Sequence, residues 1–192
     1  SVTGIRNGVA IGTSMGFSPQ SGLPQNNRVG DLDSMAIPYA CKMLGLTVEE
    51  AEAQLTKESG LLGLSGVSND ARDVRDAAAA GNADAQLAND ALIDSIRHWA
   101  GAFFFQMGGV DVISFTAGIG ENDATLRAAV CADLQELGVI IDADANAAVR
   151  GGKEGIISAP DSPIKVVVIP ANEELVIARE VFRHVAVGDS LS

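Results

Sequence analysis

The chain has 192 residues, 47% hydrophobic and 20% charged, a composition that excludes disorder along its whole length. Its 13 Lys and Arg residues against 25 Asp and Glu give a net charge of -12, which argues against nucleic acid or an anionic membrane as partner. Cys41 and Cys131 make neither a disulfide framework nor a metal cluster, and no charged and apolar leader opens the sequence. We therefore expect a cytoplasmic protein with two buried thiols and no membrane span.

The first 30 residues predict a β-hairpin followed by a long loop. Residues 7–8 are Asn-Gly, which tolerates positive φ at both central positions of a type I′ turn, and β-branched residues flank them. Strands are therefore expected at about 1–5 and 9–14. Residues 15–30 are rich in Gly, Pro and Asn, which predicts turns and exposed backbone rather than a regular element.

Helical patterns dominate the next stretch of the chain. One helix is expected to end at Gly45, and a second is expected to begin at Thr47, which has glutamates in the following turn. Residues 59–66 mix Leu with Gly and are too broken to predict a helix. Residues 82–106 have apolar side chains at near-helical spacing and predict the longest helix. We expect Trp99 and the three phenylalanines that follow it to pack in the core.

The second half of the chain alternates between strand and helix. A strand is predicted over 110–116 and is followed, after a glycine turn, by a helix over 123–137. An apolar, β-branched strand is predicted over 165–170, followed by a helix over 172–184. Strands that lead into helices through short turns predict an α/β fold with a mixed sheet flanked by helices.

One candidate ligand loop lies between a strand and a helix, at residues 115–122 (Phe-Thr-Ala-Gly-Ile-Gly-Glu-Asn). Its two glycines let a ligand approach the backbone, and a helix N-terminus supplies N–H groups and positive potential, which suits a nucleotide. The third glycine of a dinucleotide fingerprint would fall at Asp123, and no Gly-Lys-Ser/Thr follows, so neither that fingerprint nor a P-loop is present. Both a ligand loop and a plain strand-to-helix turn fit the local sequence.

Two charged residues are candidates for binding an anion and a metal. Arg28 lies in the Gly/Pro/Asn loop, and its planar fork suits phosphate or carboxylate; the alternative is an ion pair with Asp31 or Asp33. Glu173 follows a buried type of strand, where α/β sheets place ligands, and its carboxylate suits Mg²⁺; the alternative is a simple complement to the helix dipole. Neither histidine builds a site with a serine or cysteine, so acyl-enzyme chemistry has no candidate.

Five short motifs follow one another in an order that is more specific than any one of them. They are residues 13–19 (Thr-Ser-Met-Gly-Phe-Ser-Pro), 28–33 (Arg-x-Gly-Asp-x-Asp), 57–64 (Lys-Glu-Ser-Gly-Leu-Leu-Gly-Leu), 115–122 and 169–175 (Ile-Pro-Ala-Asn-Glu-Glu-Leu). Together they resemble the C-terminal half of an acetate kinase or a close short-chain acyl kinase, from residue 1 to about 184. The chain departs from that pattern at Gly12, at residues 25–27 and at Ser34, where the family usually has Asp, a Met-Gly-Thr-like run and Pro.

The resemblance implies a fold and an activity. The fold is the ribonuclease H-like domain of actin and the sugar kinases, here a single domain over 1–192 with the N-terminal lobe absent. The activity is transfer of the γ-phosphoryl group of ATP to acetate, giving ADP and acetyl phosphate with Mg²⁺, by a homodimer that pairs through this half. The chain alone is then expected to be inactive or nearly so. A propionate or butyrate kinase, a non-catalytic nucleotide-binding or oligomerisation module, and a structural domain are the alternatives.

The resemblance also implies roles for individual residues. Arg28 matches the arginine that stabilises the transferring phosphoryl group, and Glu173 matches the glutamate associated with magnesium. Asp70, Ala71 and Arg72 match the stretch that contacts the nucleoside, although their local sequence also suits an exposed turn. The nucleotide-binding loop is matched by Gly118, Ile119, Gly120, Glu121 and Asn122.

Overall fold

The computed structural model describes the backbone of residues 1–188 and the side chains of residues 1–185. The chain forms two compact units, of which the first comprises Ser1–Val110 and the second begins at Asp111. The first unit contains a hairpin, a long loop and helices, and the second contains a mixed sheet with helices. Residues 189–192, the end of the predicted single domain, lie outside the described residues.

The first unit opens with the predicted hairpin. Strands β1 (Thr3–Arg6) and β2 (Val9–Thr13) pair antiparallel. Asn7 has φ 53° and Gly8 has φ 77°, so both central residues adopt the left-handed conformation that the Asn-Gly pair predicted. The loop that follows contains no helix or strand up to Gly30, as expected, but it is not exposed throughout, since residues 22–24 and Gly30 are buried.

Five helices follow in the described part of the first unit. They are α1 (Ala36–Leu44), α2 (Val48–Lys57), α3 (Gly60–Ser65), α4 (Ala71–Ala79) and α5 (Ala83–Met107). Gly45, with φ 69°, ends α1 as expected. Thr47 begins α2 through a capping box, because its hydroxyl accepts from the Glu50 N–H while Glu50 accepts from the Thr47 N–H. Residues 59–66 were too broken for a helix to be predicted, and α3 occupies most of that segment.

The long helix α5 packs against the hairpin through Phe103, which is 4% exposed. Glycines make room for its ring, because a Cβ added to Gly4 or Gly12 would lie 2.7 or 2.9 Å from a Phe103 ring carbon. The expected burial of all three phenylalanines is wrong, since Phe105 is 87% exposed. Trp99 is half-buried and tilts against the Phe103 ring at 5.9 Å between centroids.

The second unit is built on a three-stranded mixed sheet, as predicted. Strand β5 (Lys165–Val168) lies in the middle, parallel to β3 (Val112–Phe115) and antiparallel to β4 (Gly155–Ile156). Val166 and Val168 are fully buried and anchor the core of this unit. Because β3 and β5 run in the same direction, their carboxyl ends meet at one edge of the sheet.

The second unit contains helices that the sequence predicted and two short helices that it did not. They are α6 (Ala117–Asn122), α7 (Ala124–Val130), α8 (Ala143–Ala148) and α9 (Glu173–Gly188), with a 3₁₀ turn at Gln135–Leu137. The two that the sequence did not predict are α6 and α8. The predicted helix over 123–137 is wrong, because α7 ends at Val130 and Asp133 takes φ 59°. Cys131 is buried as expected, whereas Cys41 is only half-buried. No helix in the described residues is both long and apolar enough to cross a membrane.

Candidate functional site

The carboxyl edge of the sheet in the second unit brings two predicted site segments together. Helix α6 follows β3 directly, and α9 follows β5 after a short turn. The Ile169 N–H donates to the Phe115 carbonyl at 3.0 Å, which extends the pairing of the two strands to their ends. The Ala171 N–H then donates to Glu121 Oε1 at 2.8 Å. The predicted nucleotide loop is thus hydrogen-bonded to the segment that ends in Glu173.

The predicted glycine turn is itself a short helix, and its two glycines face different surroundings. Gly118 is exposed, and nothing lies within 4 Å of a Cβ placed there, so its outer side is open to a ligand. Gly120 packs against the end of β3, with its added Cβ 3.4 Å from the Phe115 carbonyl carbon. Asn122 closes the helix, since its amide donates to the Gly118 carbonyl at 2.9 Å and accepts from the Gly151 N–H at 3.0 Å.

Sequence reasoning missed Arg127, whose buried guanidinium donates hydrogen bonds to carbonyls of α6. Its side chain is fully buried, and all five of its N–H groups donate hydrogen bonds. Nη1 donates to the Gly120 and Glu121 carbonyls, each at 2.9 Å. Nε donates to Asn146 Oδ1 at 2.8 Å, and Nη2 donates to the Asn146 and Val149 carbonyls at 2.7 and 2.8 Å. The guanidinium therefore joins the last turn of α6 to the end of α8.

The charge of Arg127 is stabilised inside the protein by these bonds. Burial lowers the pKa of its guanidinium, and the nearby Asp123 carboxylate opposes that effect. Arginine remains protonated in proteins because its guanidinium is the most basic of the side chains. The sequence carried one signal: Arg127 lies between the apolar residues Leu126 and Val130 on a predicted helix. Both of these apolar residues are buried in the structure. An arginine flanked by core residues on a short helix is a candidate for a buried network.

In the first unit, Arg28 is presented by a tight turn, which we call the Arg28 turn (residues 25–28). The Arg28 N–H donates to the Gln25 carbonyl at 2.6 Å and closes the turn. Asn26 has φ 43°, in the left-handed region that Gly favours and that Asn tolerates better than most residues. Asn26 belongs to the Gln-Asn-Asn run at residues 25–27. This run can therefore form a turn whose left-handed position would suit glycine.

Neither aspartate that follows Arg28 serves as its partner. Asp31 accepts from the Gly22 N–H at 2.8 Å and from the Trp99 Nε1–H at 2.9 Å, so its carboxylate ties the loop to α5. Asp33 accepts from a backbone N–H two residues later, at 2.9 Å. Within the described part of the chain, the Arg28 guanidinium makes neither a hydrogen bond nor an ion pair. Its donors are therefore available to an anion.

Asp70 and Arg72 form an exposed ion pair at the start of α4. The Asp70 carboxylate accepts from the Arg72 N–H at 2.9 Å, from Nε at 3.0 Å and from Nη2 at 2.6 Å. These hydrogen bonds lower the pKa of Asp70 from 3.8 to about 2, and they raise the pKa of Arg72. The Arg72 side chain remains 77% exposed, so one face of its guanidinium is open to solvent.

We expect Arg72→Ala to raise the pKa of Asp70 towards 3.8, because it removes the side-chain hydrogen bonds that stabilise the carboxylate. A lowered carboxyl pKa contributes stability that is complete above 3.8 and is lost as the pH falls through about 2. Carboxyl NMR titration of the chain measures this shift. Arg75→Ala is the control and should move the pKa less, because Arg75 contributes only a weaker charge effect. A pKa that stays at about 2 in Arg72→Ala would contradict the assignment.

The residues present fit a magnesium ion that arrives with a nucleotide. No cluster of three or more His, Cys, Asp or Glu side chains occurs among the described residues. Glu173 is exposed at the first position of α9, and the preceding Asn172 caps that helix by accepting from the Leu175 N–H at 3.1 Å. Magnesium commonly takes one or two carboxylates together with phosphate oxygens and water. The exposed Glu173 carboxylate at the sheet edge meets that requirement.

The predicted site residues are divided between the two units. Arg28 and the Asp70–Arg72 pair lie in the first unit, whereas residues 118–122 and Glu173 lie in the second. Within the second unit, the hydrogen bond between Glu121 and Ala171 joins the latter two elements.

The chain is similar to known proteins over most of its length. A model of the Acetokinase family matches residues 1–179. The acetate kinase of Geobacillus kaustophilus is 48% identical over 183 residues, which cover 95% of this chain and 46% of that protein. The crystal structure of Porphyromonas gingivalis acetate kinase superposes with a TM-score of 0.88 at 40% identity, and a propionate kinase from Francisella tularensis with 0.85 at 36%. Each alignment covers 93% of this chain and 45% of the other.

The fold is that of the actin-like ATPases, an α/β architecture with a mixed sheet flanked by helices. The chain belongs to the acetokinase family. It spans about half the length of the curated relatives that it matches.

Proposed function

We propose that this chain is the nucleotide-binding half of an acetate kinase-like enzyme, which transfers the γ-phosphoryl group of ATP to acetate. The observation that carries the proposal is the carboxyl edge of the sheet in the second unit. There the parallel strands β3 and β5 lead into α6 and α9, and the hydrogen bond from Ala171 to Glu121 links the two segments. This is the position at which α/β sheets bind ligands, and it combines exposed backbone at Gly118 with a free carboxylate.

The proposed reaction moves one phosphoryl group between two oxygens. A carboxylate oxygen of acetate attacks the γ-phosphorus, a P–O bond to acetate forms, and the P–O bond to ADP breaks. Such a transfer depends on positioning and on neutralising charge more than on proton transfer. Arg28 is suited to neutralising charge, because its guanidinium donors make no hydrogen bond in the described part of the chain and its planar fork matches phosphoryl oxygens.

Each remaining site residue has a proposed role. Glu173 would hold the Mg²⁺ that accompanies the nucleotide, and the ion supplies positive charge to the phosphates. Helix α6, with residues 118–122, would contact the nucleotide through its open Gly118 side. Asp70, Ala71 and Arg72 would contact the nucleoside, where the guanidinium of Arg72, oriented by Asp70, offers a flat cationic surface for a base.

We also propose that residues 1–192 work as one domain of a cytoplasmic homodimer that pairs through the first unit. Exposed apolar side chains in the helices of that unit support pairing, since Tyr39, Met43, Leu44 and Leu87 are all more than half exposed. Light scattering at micromolar concentration should give twice the monomer mass. A monomer at that concentration would contradict this part of the proposal.

The activity is tested by trapping acyl phosphate with hydroxylamine. The complete two-lobed enzyme should form acetyl phosphate and ADP from ATP and acetate when Mg²⁺ is present, whereas the 192-residue chain alone should form nearly none. Acyl phosphate production by the chain alone would contradict the proposal that this chain contains only half of the catalytic site. A complete enzyme that binds nucleotide without transferring phosphate would favour a non-catalytic module.

A propionate kinase is the second candidate, because a structure of that enzyme superposes on this chain with a TM-score of 0.85. The ratio of kcat/KM values for acetate, propionate and butyrate decides between them. A higher value for acetate supports the first candidate, and a higher value for either longer acid overturns it.

A further inference from the structure

The Lys-Glu-Ser-Gly-Leu-Leu-Gly-Leu motif at residues 57–64 has no role in the proposed chemistry so far. The structure shows that its centre lies directly against the Arg28 turn. The Ser59 N–H donates to the Asn27 carbonyl at 3.2 Å, and the Leu62 N–H donates to the Asn26 carbonyl at 2.9 Å. N–H groups at the start of α3, which have no partner within that helix, thus bind the carbonyls of the turn.

Gly60 is the point of closest approach between α3 and the Arg28 turn. It has φ 61°, and a Cβ added to it would lie 2.6 Å from the Arg28 carbonyl oxygen, 2.6 Å from the Gln25 carbonyl oxygen and 2.9 Å from the Arg28 nitrogen. All three are backbone atoms, so a side chain at this position can fit only if the turn moves. The other side of the turn is also fixed, because the Val29 N–H donates to the Leu55 carbonyl at 3.1 Å.

We propose that Gly60 is a positioning residue for the phosphoryl transfer, an inference that rests on the function proposed above. Because Gly60 has no side chain, the start of α3 can contact the backbone of residues 25–28. This contact fixes the position of the Arg28 backbone, from which the guanidinium extends. The guanidinium has no hydrogen bond of its own in the described part of the chain. Its placement therefore depends on the backbone of the turn, and a misplacement of about 1 Å can cost about 10²-fold in rate.

The test compares Gly60→Ala with Gly66→Ala in the complete two-lobed enzyme. Gly66 ends the same helix with φ 64°, so alanine suffers similar backbone strain there, but nothing lies within 4 Å of its added Cβ. We expect Gly60→Ala to lower kcat by about 10- to 100-fold, with KM for ATP changed by less than about two-fold. Gly66→Ala should keep kcat close to the wild-type value. Equal kcat values for the two variants would overturn the proposal.

Amide hydrogen exchange on the 192-residue chain separates this inference from the proposed function. Exchange at Arg28 and Leu62 should quicken in Gly60→Ala and not in Gly66→Ala; unchanged exchange would overturn the contact-based argument. Should Gly60→Ala fail to fold, Asn26→Val replaces it, because a β-branched residue strains the φ 43° position without filling the space beside Gly60. If Arg28→Ala lowers kcat while Gly60→Ala and Asn26→Val do not, the proposed function stands and the positioning role is wrong. A wild-type enzyme without transferase activity would refute both.

Discussion

Replacing Arg28 by alanine in the complete enzyme is expected to lower kcat for phosphoryl transfer by about 10³-fold or more, the range found for arginines that stabilise a transferring phosphoryl group. The structure gives two reasons. The guanidinium is free of internal partners in the described part of the chain, and the backbone that presents it is fixed by the Arg28 turn. The KM for ATP should change much less than kcat, because the lost interaction is made mainly in the transition state.

Two further variants make this expectation specific to Arg28. Arg28→Lys keeps the charge but loses the planar fork, so it should recover only part of the lost rate. Arg6→Ala is the control: this arginine lies in the hairpin and donates to the Gln106 carbonyl at 2.9 Å, away from the Arg28 turn in sequence and in hydrogen bonding. Steady-state kinetics measures all three. An Arg28→Ala enzyme with wild-type kcat would remove Arg28 from the proposed reaction.

Arg127→Met should destabilise the chain by about 4 kcal/mol, because methionine leaves four buried or partly buried carbonyls and one amide oxygen without their charged donor. The effect reaches the candidate site, since two of those carbonyls belong to Gly120 and Glu121 in α6. Urea unfolding followed by circular dichroism measures the loss of stability.

Arg127→Lys provides an intermediate step in the series, because lysine keeps the charge but cannot donate to five acceptors at once. Arg150→Met is the matched control, since Arg150 is exposed and makes no hydrogen bond or ion pair in the described part of the chain. We expect its free energy of unfolding to change by less than about 0.5 kcal/mol. If Arg127→Met is as stable as Arg150→Met, the buried network does not support α6 in the way described.

Local chemistry made several elements of the fold predictable. Asn7 and Gly8 can both take positive φ, so the hairpin turn followed from two residues. Thr47 and Glu50 are three residues apart, and their reciprocal hydrogen bonds depend only on that spacing. The helix over 82–106 is long enough for its apolar period to be visible, and it differs from the observed α5 by one residue at each end.

Short helices were harder to predict. Helices α3, α6 and α8 have six residues each, less than two turns, so an apolar period cannot be recognised in them. Helices α3 and α6 also contain glycines that weaken any helical signal. The prediction of one helix over 123–137 was wrong for a related reason. Apolar residues continue past Val130, but the backbone leaves the helical conformation there and only a 3₁₀ turn follows.

The candidate site was visible in the sequence as a set of residue types, but its connections were not. Arg28 stood out because a cation in a glycine-rich loop of an acidic chain is unusual. The contact of Gly60 with the Arg28 turn joins residues about 30 positions apart, and no local pattern encodes such a contact. The five hydrogen bonds of Arg127 likewise depend on oxygens from two separate segments, the last turn of α6 and the end of α8, which only the folded chain brings together.

Amide hydrogen exchange of the complete enzyme, with and without Mg²⁺ and ADP, tests the central claim most directly. If this half binds the nucleotide, ADP should slow exchange at residues 118–122 and at residues 70–72, while the hairpin at residues 3–13 exchanges as before. Binding of ADP that leaves exchange at both 118–122 and 70–72 unchanged would show that the nucleotide site lies elsewhere.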